Sequence, residues 1–84
     1  MIEQILAFVE RHFRAALAGR RLDPDTPLFS TGIVDSFGVL ELIAFLEETF
    51  GVDIDPGQHD LVDFDTAAKV AALVAALRPI RDPR

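Results

Sequence analysis

Ile2, Ile5, Leu6, Val9, Phe13, Ala16 and Leu17 recur at steps of three and four along the first segment. That spacing lines one face of a helix. Gly19 is placed to end it, and Arg20 and Arg21 bring the positive charge that suits a helix C-terminus. The period then disappears over residues 19–35. Pro24, Pro27 and Gly32 break any helix there, and Asp23, Asp25, Thr26, Ser30 and Thr31 favour turns. Leu22, Leu28, Phe29, Ile33 and Val34 are nevertheless apolar, so a long loop pinned to a core is expected. Ordered loops of this length in small domains are uncommon and often functional.

A second helix is expected from Ser36 to Phe50, with Val39, Leu42, Ile43, Leu46 and Phe50 as its buried stripe and Gly51 as its stop. At about 100° per residue, the opposite face carries Phe37, Glu41, Ala44 and Glu48, flanked by Leu40 and Glu47. Two large apolar side chains, Phe37 and Leu40, thus sit among glutamates. Either they form a docking patch inside a charged rim, or they lie under the long loop. Val52 and Ile54 extend the core, and Pro56 opens a short helical turn reaching Leu61. Asp65 or Thr66 caps a last helix whose stripe is Val70, Leu73, Val74 and Leu77. Pro79 should end it, with residues 80–84 frayed. Strict alternation occurs nowhere, which argues against a sheet. The expected fold is all-α, a single domain spanning residues 1–84. It is a small four-helix bundle of three longer helices and one short third helix, with a long loop between helices one and two.

Eighty-four residues hold one domain. No cysteine is present, which removes disulfides, thiolate metal sites and cysteine nucleophiles. His12 and His59 alone make no metal centre. No apolar run approaches the ~18 residues of a membrane span, and no basic stretch precedes an apolar one at the N-terminus, so the cytoplasm is the expected location. Net charge is −6, and its distribution matters more than its size. Eleven carboxylates (Asp23, Asp25, Asp35, Glu41, Glu47, Glu48, Asp53, Asp55, Asp60, Asp63 and Asp65) lie between residues 22 and 65 without one Lys or Arg. Such a field repels nucleic acid and anionic lipid and attracts basic proteins. It also serves simply for solubility.

Catalytic motifs are weak. Asp35, Ser36 and His59 are the residue types of a hydrolase triad, but no Gly-x-Ser-x-Gly elbow or preceding strand accompanies them. Asp53-Ile54-Asp55-Pro56-Gly57 starts like a calcium loop, then fails at Gly57 and Gln58. Ser36 remains, where the long loop meets the second helix. Ser36 or Asp35 could merely cap that helix. A helix start also favours phosphate through its free N–H groups and dipole. An attachment hydroxyl beside a docking helix suggests a carrier rather than a catalyst.

The run Asp23-Pro24-Asp25-Thr26-Pro27-Leu28-Phe29-Ser30-Thr31-Gly32-Ile33-Val34-Asp35-Ser36-Phe37 resembles the loop and attachment motif of acyl carrier and peptidyl carrier proteins. So do the helix from Glu41 to Gly51, Ile54-Asp55-Pro56 and Phe64-Asp65-Thr66. The resemblance implies that Ser36 receives 4′-phosphopantetheine from coenzyme A through a phosphopantetheinyl transferase, with Asp35 assisting that enzyme. The thiol of the group would hold an acyl or aminoacyl thioester. It further implies docking of a loading ligase and of acyl-processing enzymes with basic surfaces on Phe37, Leu40, Glu41, Ala44, Glu47, Glu48 and Ile54. A monomer without catalytic or metal-binding residues is expected. Two departures point to a specialised pathway with an aminoacyl or short-chain cargo. Phe37 stands where fatty-acid carriers have leucine, and Gly38 replaces an acidic residue. The alternative is an acidic helical adaptor that binds a basic protein without any prosthetic group.

Overall fold

The computed structural model describes residues 1–77. Helix α1 spans Ile2–His12 and buries Ile5 and Val9 completely. It does not run on as one helix. Phe13 leaves helical geometry (φ −114°, ψ 32°), and a separate turn, α2 (Arg14–Leu17), follows with Leu17 buried. Ala16, expected on the buried stripe, is exposed because the break turns this short segment. The stop also differs from expectation. Ala18 takes the left-handed cap position (φ 53°) ahead of Gly19, which has positive φ as well. Arg20 secures this end, donating from Nε to the Leu17 carbonyl (3.0 Å) and from Nη2 to that of Ala16 (2.8 Å).

Helix α3 spans Ser36–Phe50, as the periodicity indicates, and buries Val39, Leu42, Ile43 and Leu46. Gly51 ends it at φ 67°, a conformation that costs glycine little and other residues more. The short third helix from Pro56 to Leu61 is instead two 3₁₀ turns, Pro56–Gln58 and Leu61–Phe64. The division has a local cause. Asp55 accepts from Gly57 N–H to close the first turn, His59 is extended, and Asp60 and Asp63 open the second with a reciprocal capping box. Phe64, 2% exposed, anchors this segment in the core.

Helix α4 spans Ala67–Ala76, and Thr66 is its cap, accepting from Lys69 N–H. Val70 and Val74 are buried, while Leu73 and Leu77 are half-buried. The expectations for Pro79 and residues 80–84 fall outside the described residues. Helix α1 packs against both α3 and α4. All regular elements among the described residues are helical, and none is long and apolar enough to cross a membrane.

The long loop is pinned, as its apolar residues imply: Leu28, Ile33 and Val34 are buried. Asp65 makes the other attachment. Its Oδ1 accepts from Leu28 N–H (3.2 Å) and Phe29 N–H (2.9 Å). Its carbonyl accepts from Leu28 N–H as well, and Ala68 N–H donates to the Pro24 carbonyl (3.0 Å). The loop is thus fastened to the entrance of α4, and its last residues deliver Asp35 to the start of α3.

Candidate functional site: the start and exposed face of α3

Asp35 is the N-cap of α3. Its backbone is extended (φ −97°), and its Oδ1 accepts from Gly38 N–H at 2.7 Å. This decides between the two capping candidates. Ser36 is the first helical residue and is exposed, and its hydroxyl has no hydrogen-bond partner among the described residues. Helix geometry leaves the first N–H groups without intrahelical acceptors. Asp35 satisfies that of Gly38 by its side chain and that of Val39 by its carbonyl (3.0 Å). The N–H groups of Ser36 and Phe37 face the dipole-positive end without such a partner, a setting suited to a phosphodiester on the adjacent hydroxyl. A phosphate-linked group at Ser36 therefore fits: the oxygen is accessible, and helix capping does not depend on it.

Gly38 is buried against Phe13, the residue at which α1 breaks. A Cβ added there would meet Phe13 Cε1 at 2.8 Å. Its smallness is thus a packing requirement of the α1–α3 crossing beside the site.

Beyond Ser36 the exposed face of α3 is apolar at its crest. Phe37 is 72% exposed and Leu40 51%. Neither is covered by the loop, so that reading of the two residues is set aside. Glu41, Ala44 and Glu48 continue the exposed face. Two expected members behave differently. Glu47 is half-buried, and its Oε2 accepts from Ile54 N–H at 3.0 Å. Ile54 is 3% exposed. Its side chain belongs to the core, because the Glu47 latch draws this extended stretch against α3, and it offers a partner no surface.

Leu61 (50% exposed) and Val62 (55%) on the second 3₁₀ turn were not anticipated as exposed apolar residues. Nor was an aromatic assembly on the other flank of α3. Phe45 stacks on Phe8 of α1 with ring centroids 4.2 Å apart, and Phe8 also stacks on His12 (4.9 Å). His12 Nε2 lies 3.1 Å from Glu41 Oε1. Phe8 and Phe45 fall between the buried stripe and the polar face of their helices. The available signal was a pair of off-stripe aromatics on helices expected to pack together. His59, the would-be triad member, lies against the Phe64 ring edge and 4.0 Å from Asp63 Oδ2.

Comparison with known proteins adds an independent result. Residues 4–75 match the family described as the phosphopantetheine attachment site. A D-alanyl carrier protein of Lactococcus lactis subsp. cremoris (strain MG1363) is 43% identical over 54 residues, covering 64% of this chain and 68% of that protein. One from Lacticaseibacillus rhamnosus is 40% identical over 50 residues, 60% of this chain and 62% of that protein. One from Streptococcus suis (strain 05ZYH33) is 33% identical over 75 residues, 89% of this chain and 91% of that protein.

Proposed function

The chain belongs to the phosphopantetheine-attachment family of carrier proteins, and from that premise we propose that it carries an aminoacyl thioester, with D-alanine as the cargo, through Ser36. Its prosthetic group is 4′-phosphopantetheine, attached covalently. When bound, that group supplies a terminal thiol to a chain with no cysteine of its own. Ser36 is the attachment residue in this reading, and the observation that carries it is the division of labour at the α3 start. Asp35 does the capping and leaves the Ser36 hydroxyl accessible. The cargo assignment rests on the names of the relatives and agrees with the departures at Phe37 and Gly38.

The chain's own part is presentation, not catalysis. Phe37, Leu40, Glu41, Ala44 and Glu48 form the face on which the transferase, a loading ligase and later enzymes with basic and apolar surfaces dock. Exposure of that face supports the assignment. We place the protein in the cytoplasm, where coenzyme A and the activated amino acid are available together.

Intact mass is the test. Coenzyme A and a transferase of broad specificity should add one phosphopantetheine, and Ser36→Ala should add none while retaining its helicity. The modified protein, given a D-alanine-activating ligase, ATP and D-alanine, should gain one aminoacyl group that hydroxylamine removes. No modification at Ser36 leaves the acidic adaptor as the surviving account. Modification without loading by that ligase overturns the cargo alone.

A further inference from the structure

Helices α1 and α3 meet in antiparallel register. Phe13 lies against Gly38, His12 against Glu41, and Phe8 against Phe45. The outer two contacts are apolar and indifferent to pH. The middle one is not. His12 Nε2 is 3.1 Å from Glu41 Oε1, and among the described residues this is the ion pair that joins two helices. The other, His59–Asp63, spans four residues of one segment at 4.0 Å. Rings hold His12 on its remaining sides: it stacks on Phe8 (4.9 Å) and meets Phe13 edge-on (5.0 Å). Other charges stand off. On α3, Glu47 and Glu48 line the same groove, but Glu47 is turned to Ile54 N–H. Glu3, Glu10 and Arg11 on α1, and Arg14 on α2, are exposed. Helix α4, also packed on α1, carries only Lys69, which lines a separate pocket with Val62 and Asp63. Among the described residues, Glu41 is the charge within ion-pair distance of the His12 ring.

We propose that His12 and Glu41 form a proton-operated clasp between α1 and the helix that begins at Ser36, closed while the imidazole is charged and slackened as it loses its proton. Histidine is the side chain whose ordinary charge change falls between about pH 5 and 8. When charged, it donates a charge-assisted bond to the carboxylate, roughly twice as strong as a neutral one, and the face of Phe8 attracts the cation. When neutral, it keeps only an ordinary hydrogen bond. The clasp therefore adds stability at the acidic end of this range, and its contribution fades as pH rises. Both side chains are partly exposed (42% and 43%), so solvent holds the effect to the scale of a surface pair. Closing the clasp also offsets the charge of Glu41 on the exposed α3 face. The inference concerns the chain without its prosthetic group, so it stands or falls apart from the cargo reading.

Urea unfolding of the unmodified full chain at about pH 5.5 and about pH 8, either side of the histidine range, is the test. The parent, His12→Gln, Glu41→Gln and the double variant form a cycle, which cancels the general easing of acidic repulsion on acidification. The cycle should show a coupling on the order of threefold in the unfolding constant at the lower pH and almost none at the higher. Glu48→Gln removes a like charge from the same groove without touching His12, and should leave the parent's pH dependence in place. Should His12→Gln fail to fold, the two glutamate variants decide. Only Glu41→Gln should fall behind the parent as pH is lowered. Coupling that is equal at both pH values, larger at the higher one, or absent at both overturns the proposal. So does identical behaviour of Glu41→Gln and Glu48→Gln.

Discussion

Asp35 caps α3, and a single substitution separates that cap from the role toward the transferase proposed for its charge. Its Oδ1 caps Gly38 N–H, and its charge lies beside the hydroxyl proposed to enter the transferase. Asp35→Ala removes both, and the lost cap should cost about 1 kcal/mol. Asparagine caps about as well as aspartate, so Asp35→Asn keeps the oxygen and removes only the charge. It should melt close to the parent, yet accept the prosthetic group on the order of tenfold more slowly, about 1.4 kcal/mol in the barrier. Full-rate modification of Asp35→Asn would reduce Asp35 to a cap. Gly38, three residues on, inverts a familiar expectation. Alanine in place of a helical glycine usually gains about 0.5–1 kcal/mol. Here the new methyl would sit 2.8 Å from Phe13 Cε1 and 3.2 Å from Asp35 Oδ1, and overpacking costs about 1–3 kcal/mol. Gly38→Ala should therefore lower stability in denaturant titration. Phe13→Leu in the same chain should recover part of the loss, so that the double variant loses less than the two singles together.

Among the elements, the one that places the site is the loop, and Asp65 holds it. Truncating Asp65 strips Phe29 N–H of its acceptor, whereas Leu28 N–H keeps the Asp65 carbonyl. A buried or half-buried donor left without a partner costs about 1–3 kcal/mol. Asp65→Ala should lose about 2 kcal/mol and speed hydrogen exchange at Phe29 more than at Leu28, while Asp65→Asn retains much of the protection. Uniform exchange across both amides would place the anchor elsewhere. The same comparison of elements shows what the chain spells out locally. The bounds of α3 were legible because Asp35 and Gly51 are both local signals and the stripe between them is unbroken. The break at Phe13 was not, because Phe13 lies on the α1 stripe and its ring is accommodated by Gly38, more than twenty residues away. The helical turn expected from Pro56 to Leu61 stops at Gln58, and a second turn over Leu61–Phe64 goes beyond it, because each turn has its own aspartate cap. At the site, the helical period puts Phe37 and Leu40 opposite the buried stripe but leaves open whether the loop covers them, and the structure exposes both. Ile54 lies in the core, as its place in the apolar pattern indicates, and the Glu47 hydrogen bond to its N–H, a tertiary contact, keeps it from the docking face that the resemblance implies for it.

At the scale of the whole molecule, the charge distribution works against stability, and the docking proposed above would draw on the same field. Residues 22–65 carry eleven carboxylates and no Lys or Arg. Among the described residues, none of those carboxylates pairs with a Lys or Arg from elsewhere in the chain; only Glu41 and Asp63 have ion-pair partners, both histidines. Folding gathers like charges that the unfolded chain holds farther apart, so repulsion opposes the native state. Salt screens that repulsion over a Debye length of about 10 Å at 0.1 M. The fold should therefore become more stable as sodium chloride rises from about 0.02 M to about 0.5 M, on the order of 1 kcal/mol, or several degrees in Tm for a domain of this size. Docking to a basic partner should move the opposite way and weaken over the same range, because the field that strains the fold is the one that draws the partner. Replacing Glu41 and Glu48 together by glutamine should flatten both dependences. A Tm that falls with salt in the unmodified chain would show that attractive pairs, not the unpaired acidic face, dominate its electrostatics.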